Sequence, residues 1–175
     1  MIFRSTKIAG VFEIELEGKP DERGFFARSW CCDEFAAQGL NSRLAQCSIS
    51  FNHRQGTLRG MHFQAAPHSE AKLIRCTKGA VYDVALDLRR DSPTFRQWTS
   101  AVLTADNHLM LYIPEGCAHG FLTLEDNCEI FYQISEFYAP EAARGVRWND
   151  AAFAIDWPGK VNVISSRDAS YPDFA

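Results

Sequence analysis

The chain has no Cys-x-x-Cys pair, no excess of positive charge and no apolar run approaching the roughly 18 residues that span a bilayer. Six cysteines are scattered at positions 31, 32, 47, 76, 117 and 128. A zinc site wants ligands paired at short spacing, so this scatter points to free, reduced thiols buried in apolar runs, and to neither zinc nor disulfides. A net charge of -4 argues against general nucleic-acid binding, which needs a broad basic face. Any anionic ligand must then be met by a local focus of cations, and Arg23, Arg54, Arg59, Lys72 and Arg75 supply one in the first half. The first residues, MIFRSTK, lack the apolar stretch of a secretory signal, which leads to the expectation of a cytoplasmic protein with no membrane partner. Internal repeats, low-complexity tracts and linker-like segments are also missing, so 175 residues with 46% apolar content are expected to form one domain, 1–175.

Short alternating or β-rich runs predict strands over 11–16, 25–30, 44–51, 57–64, 72–77, 80–88, 97–103, 108–113, 120–124 and 128–135. Turn residues punctuate them at 19–21, 52–56, 78–79, 91–93, 105–107, 114–116 and 125–127. One short helix is expected at 33–38, with a polar start and Gly39 as its stop. Many antiparallel strands around one core give an all-β jelly roll of the cupin type. The stretch 141–175 has little periodicity, but Trp148, Phe153 and Trp157 provide apolar anchors that should pack it on the barrel.

The segment GTLRGMHFQ (56–64) sets an imidazole, a guanidinium and an amide on one short strand. Side chains alternate along a strand, so Leu58, Gly60, His62 and Gln64 are expected on one face, and Arg59, Met61 and Phe63 on the other, unless Gly60 is a bulge. A half-buried histidine with such neighbours suits proton transfer near neutral pH, although a core histidine satisfied by one hydrogen bond has the same look. Lys72 opens an apolar strand, where a solvated edge charge is the ordinary alternative. Asp83 lies mid-strand in AVYDVALDL, and a buried carboxylate there needs a partner such as Lys72, His62 or His119. His119 follows a Pro-Glu-Gly turn, as in the second motif of metal-binding cupins, but Gln64 stands where their first motif has a second histidine. His62 and His119 alone make a poor metal set. Tyr132 sits between Ile130 and Ile134, a position that also suits a core tyrosine hydrogen-bonded at the rim.

These motifs, together with DERGFF (21–26), IPEGCAHGF (113–121), IFYQ (130–133), Trp157-Pro158 and Ser166-Arg167-Asp168, resemble the dTDP-4-dehydrorhamnose 3,5-epimerase family nearly end to end. The resemblance implies a cofactor-independent epimerase with a nucleotide-sugar substrate, and a homodimer with N-terminal strands paired across subunits. It implies His62 as general base, Tyr132 as acid from the opposite face, Asp168 as the carboxylate orienting His62, and Lys72 in the active site; Asp83, by its own place in an apolar strand, is the fallback orienter. Arg23 and Arg59 match diphosphate contacts, Phe26 and Tyr138 match walls of the base or sugar pocket, and Gln46, Ser48 and His119 match other substrate contacts. Two positions depart from the family pattern: Arg28 replaces a usual glutamate and Ser48 a usual asparagine, which leaves the nucleotide base open.

In such a substrate the C3 and C5 hydrogens flank a C4 ketone, so removing either gives an enolate, and inversion needs only a proton returned to the other face. An enzyme acting on one carbon, or on a CDP-linked or other nucleotide sugar, fits the same residues. A metal-dependent cupin oxygenase and a non-catalytic sugar-nucleotide binding module are the readings from other classes.

Overall fold

The computed structural model describes residues 1–174 as two facing antiparallel sheets. In chain order the elements are β1 (Ile2–Ser5), β2 (Phe12–Glu15), β3 (Lys19–Asp21), β4 (Gly24–Phe26), α1 (Cys32–Ala37), β5 (Gln46–Asn52), β6 (Thr57–Gln64), β7 (Lys72–Lys78) and β8 (Ala80–Asp87). Then follow β9 (Trp98–Thr104), β10 (Met110–Ile113), β11 (Cys117–Thr123), β12 (Cys128–Ile134), β13 (Ala143–Gly145), β14 (Val163–Ile164) and α2 (Ser166–Ala169). One sheet runs β1-β2-β10-β7-β12-β5 and the other β13-β6-β11-β8-β9, with β14 parallel to β6; β3 and β4 form a separate hairpin. This is the expected all-β jelly roll.

Period-two alternation decides what each face buries. Ile74, Cys76, Leu111, Ile113 and Ile130 of the first sheet meet Val81, Ala85, Leu103, Cys117 and Phe121 of the second to make the interior core. Behind the second sheet, Met61, Val84, Leu86 and Ala118 are covered by Val146, Phe153 and Ile155, with Trp157 packed alongside. The indole of Trp157 also donates to the Trp148 carbonyl at 3.0 Å. The C-terminal segment is therefore anchored as its aromatic residues predict. Behind the first sheet, Phe35 of α1 packs with Ile14, Leu73, Met110 and Tyr112.

The helix begins one residue earlier than expected, with Cys31 at its N-cap contributing no side-chain hydrogen bond, and Gly39 ends it at φ +71°. Strand pairing of β4 stops at Phe26, short of the predicted 30. β11 starts at Cys117, directly after the turn, three residues before its predicted start. All six cysteines are free. Cys76, Cys117 and Cys128 are buried as expected, and burial pushes the Cys76 thiol to about 11 and that of Cys117 to about 12. Cys31, Cys32 and Cys47 correct the expectation, because they lie at or near the surface. No helix among the described residues is long and apolar enough to cross a membrane.

Candidate active site

The pairing of β6 with β11 sets the site. Arg59 lies opposite Phe121 and His62 opposite His119, so three steps along β6 match two along β11. The extra residue is a bulge, with Gly60 and Met61 together facing Gly120. Gly60 adopts φ +138°, and a Cβ there would stand 2.6 Å from the Gly120 Cα. Simple alternation is thereby overturned: Arg59 joins His62, His119 and Phe121 on the interior face, while Leu58, Met61 and Phe63 turn outward.

His62 is half exposed at the cleft mouth, at 39%, and its Nε2 lies 2.7 Å from Asp168 Oδ1. Asp168 is delivered by α2, a single turn whose N-cap Ser165 accepts the Asp168 N–H at 3.1 Å. The other carboxylate oxygen accepts the Gly60 N–H at 3.3 Å, which ties the bulge to the same carboxylate. Burial alone would raise the Asp168 carboxyl, but hydrogen bonding and charge from His62, with help from Gly60 and Ser165, outweigh it and hold the group below its ordinary value. An ionised Asp168 can only accept, so Nε2 of His62 carries hydrogen, and in the neutral imidazole the lone pair then lies on Nδ1.

Beside this pair lies a second. His119 Nε2 is 2.7 Å from Asp83 Oδ1, both groups are buried, and Asp83 Oδ2 has no hydrogen-bond partner. The carboxylate partner of His62 is thus Asp168, and Asp83 serves His119. Lys72, also buried, pairs with Glu70 at 2.9 Å and donates to the His62 carbonyl at 3.4 Å.

The facing sheet contributes Tyr132, whose inner-face neighbours across the ladders are Ile74 on β7 and Ser48 on β5. Its ring meets His119 edge-on at 5.7 Å between centroids. Burial raises its phenol well above the ordinary value; the Asp83 charge adds to the rise and Arg59 partly offsets it. Gln46, Ser48, Ser50 and Asn52 share this inner face of β5, and Asn52 Oδ1 accepts from Arg59 Nε at 2.7 Å. Gln64 is spent on structure, with its amide bonded to the backbone of His68, Phe137 and Ala139, which holds the loop bearing Tyr138. The cleft beside His62 is lined by Glu70, Tyr138, Arg144 and Arg167. Among the described residues, no three His, Cys, Asp or Glu side chains are grouped to hold a metal ion.

A family model described as dTDP-4-dehydrorhamnose 3,5-epimerase matches residues 5–175. The chain belongs to this epimerase family. A dTDP-4-dehydrorhamnose 3,5-epimerase of Sinorhizobium fredii is 40% identical over 173 residues, covering 98% of this chain and 89% of that one. The crystal structure of a Bacillus anthracis epimerase with TDP and PPi bound superposes with TM-score 0.94 at 38% identity, covering 99% of each chain. A Legionella pneumophila epimerase in complex with dTDP-4-keto-L-rhamnose gives TM-score 0.90 at 35% identity, covering 97% of this chain and 90% of that one. As a member of the family the chain is an isomerase.

Of the residues that the epimerase motifs point to, His62, Asp168, Lys72, Asp83, His119, Arg59, Tyr132, Gln46 and Ser48 line the two inner faces or the cleft mouth, with Tyr138 at the rim. Arg23 and Phe26 do not join them. They sit on the β3–β4 hairpin at 84% side-chain and 76% exposure, with Arg23 paired to Asp21. Arg28 bonds Glu34, also away from the cleft. Sequence reading missed Glu70 and Asn52. Asn52 was legible, since it continues the even-numbered polar row from Gln46 and Ser48.

Proposed function

We propose that the chain is a cofactor-independent 3,5-epimerase of dTDP-4-dehydro-6-deoxy-D-glucose, giving dTDP-4-dehydro-L-rhamnose for polysaccharide biosynthesis. The observation that carries the reading is the arrangement of His62 and Tyr132 on opposing sheets of one interior, each adjacent to His119. A ring held between those sheets meets a base from one side and an acid from the other. His62 Nδ1 takes the proton from C5 or C3, and the bonding pair moves onto the C4 oxygen as an enolate. Tyr132 O–H then gives its proton to the opposite face of the same carbon, and the oxygen returns to a ketone. The resulting imidazolium stays paired with Asp168, while the Lys72 ammonium stabilises the enolate oxygen. Asp83 acts at one remove by fixing His119, which contacts the sugar.

Arg59 binds the diphosphate as a planar donor, and Gln46, Ser48 and Tyr138 contact the nucleotide side of the ligand. For Arg23 and Phe26 to bind substrate they must come from a second copy, which favours a homodimer whose hairpins reach across. Exposed Ile49 and Phe51 on the outer face of the edge strand β5 add apolar surface for such a partner. The protein works as one cytoplasmic domain.

The test is incubation with dTDP-4-keto-6-deoxyglucose in D₂O, followed by NMR. Deuterium is expected at both C3 and C5 with wild-type protein. His62→Ala should abolish exchange at both, and Tyr132→Phe should block inversion while leaving some exchange. Near wild-type turnover by His62→Ala would overturn the reading, and deuterium at one carbon only would make the protein a single-carbon epimerase.

A further inference from the structure

His62 is held by one hydrogen bond, and one hydrogen bond fixes a point on a ring without fixing its plane. A second contact comes from Tyr171, three residues beyond Asp168, whose ring stands edge-on to the imidazole at 6.2 Å between centroids and 68° between planes. Tyr171 reaches this place because of Gly145, the direct cross-strand partner of His62 on β13. A Cβ on Gly145 would overlap the Tyr171 ring at Cζ and Cε2. Gly145 has no left-handed backbone angle to explain its lack of a side chain, so the space it leaves is filled by the tyrosine. The far end of the ring is tied down as well, since Tyr171 Oη accepts from Arg167 Nε at 3.0 Å. Past Tyr171 the chain is clamped again where Phe174 N donates to the buried Asp150 at 2.5 Å.

We propose that Tyr171 is a positioning residue, seated in the hollow over Gly145 so that its ring fixes the plane of the His62 imidazole and aims Nδ1 into the cleft. This rests on His62 being the base. Asp168 sets which nitrogen carries hydrogen, and Tyr171 sets where the other one points. The two belong to one device, because α2 and the residue after its C-cap bring both to the same histidine.

The experiment uses full-length protein with Tyr171→Ala, Tyr171→Phe, Gly145→Ala and the Gly145→Ala/Tyr171→Ala double variant. It reads kcat and KM on the 4-keto sugar nucleotide together with the ¹⁵N spectrum of His62 in the ligand-free protein. Tyr171→Ala should lower kcat by about ten-fold to a hundred-fold, the scale of a misaligned base, with KM within about two-fold. Tyr171→Phe keeps the ring and should stay within about three-fold of wild type. Gly145→Ala evicts the ring without altering it and should match Tyr171→Ala, and the double variant should be no worse than either single one. The His62 spectrum should show one ordered tautomer in wild type and Tyr171→Phe, and exchange between environments in the other variants.

A Tyr171→Ala enzyme with wild-type kcat and an unchanged His62 spectrum overturns the proposal, as does additive loss in the double variant. Should Tyr171→Ala not fold, Gly145→Ala and Tyr171→Phe still decide it. If His62→Ala retains solvent exchange while Tyr171→Ala disturbs the His62 spectrum, the fault lies with His62 as base and not with the contact.

Discussion

Among the residues of the site, the Asp168 carboxylate does two things whose separation can be measured. On the proposed mechanism it fixes the His62 tautomer and balances the imidazolium formed in turnover. Asp168→Asn keeps the shape but can turn an amide N–H toward Nε2, which favours the opposite tautomer and leaves Nδ1 without its lone pair. A loss in kcat of about 10²–10⁴-fold is expected, with KM little changed, by steady-state kinetics. The same substitution has a pH signature. Because the native carboxyl is held below its ordinary value, the stabilisation it brings is complete above the carboxylate range near pH ~4 and is lost as pH falls through the lowered native value. Thermal unfolding of wild type should therefore decline more steeply on acidification than that of Asp168→Asn. Equal slopes would mean that the ion pair does not couple to folding.

At the scale of elements, the strands that carry most of the core were legible because alternation and turn residues agree, as in AVYDVALDL, which forms β8 almost as predicted. The β6 bulge was not fixed by pattern: glycine permits it, but the pairing with Gly120 that requires it comes from a strand 60 residues away. α2 escaped for another reason. Four residues are too few for helical periodicity, and only Ser165 in Ser165-Ser166-Arg167-Asp168 hints at a cap. So the resemblance alone pointed to Asp168, whereas the contact it makes is a matter of local backbone. The bulge gives the sharpest prediction at this scale. Gly60→Ala meets both a positive φ and the Gly120 backbone, neither of which a rotamer change relieves, so a loss of ~3 kcal/mol is expected. The strand can relieve the strain only by resuming simple alternation, which would turn Arg59 away from His62. Denaturant melts should therefore shift in step with a loss of epimerase activity, and a stable, active Gly60→Ala protein would show that the bulge is dispensable.

For the whole molecule, the β3–β4 hairpin is the element that stands apart. It pairs with no other strand and holds a guanidinium and two phenyl rings largely in solvent, although burying such rings is normally favourable. No residue of the hairpin, meanwhile, lines the cleft beside His62. If the hairpin completes the cleft of a second copy, two crippled proteins should repair each other. His62→Ala retains a sound hairpin and lacks the base; Arg23→Ala/Phe26→Ala retains the base and lacks the hairpin contacts. In a mixed dimer one of the two clefts then has both. Random reassortment makes half the dimers mixed, so equal amounts unfolded and refolded together should recover about a quarter of wild-type activity per chain, while each variant refolded alone stays near its own low level. Recovery of activity in the mixture assigns Arg23 and Phe26 to the partner's cleft. No recovery, with mixed dimers demonstrated by mass, would confine each site to one chain and leave the hairpin a structural feature only.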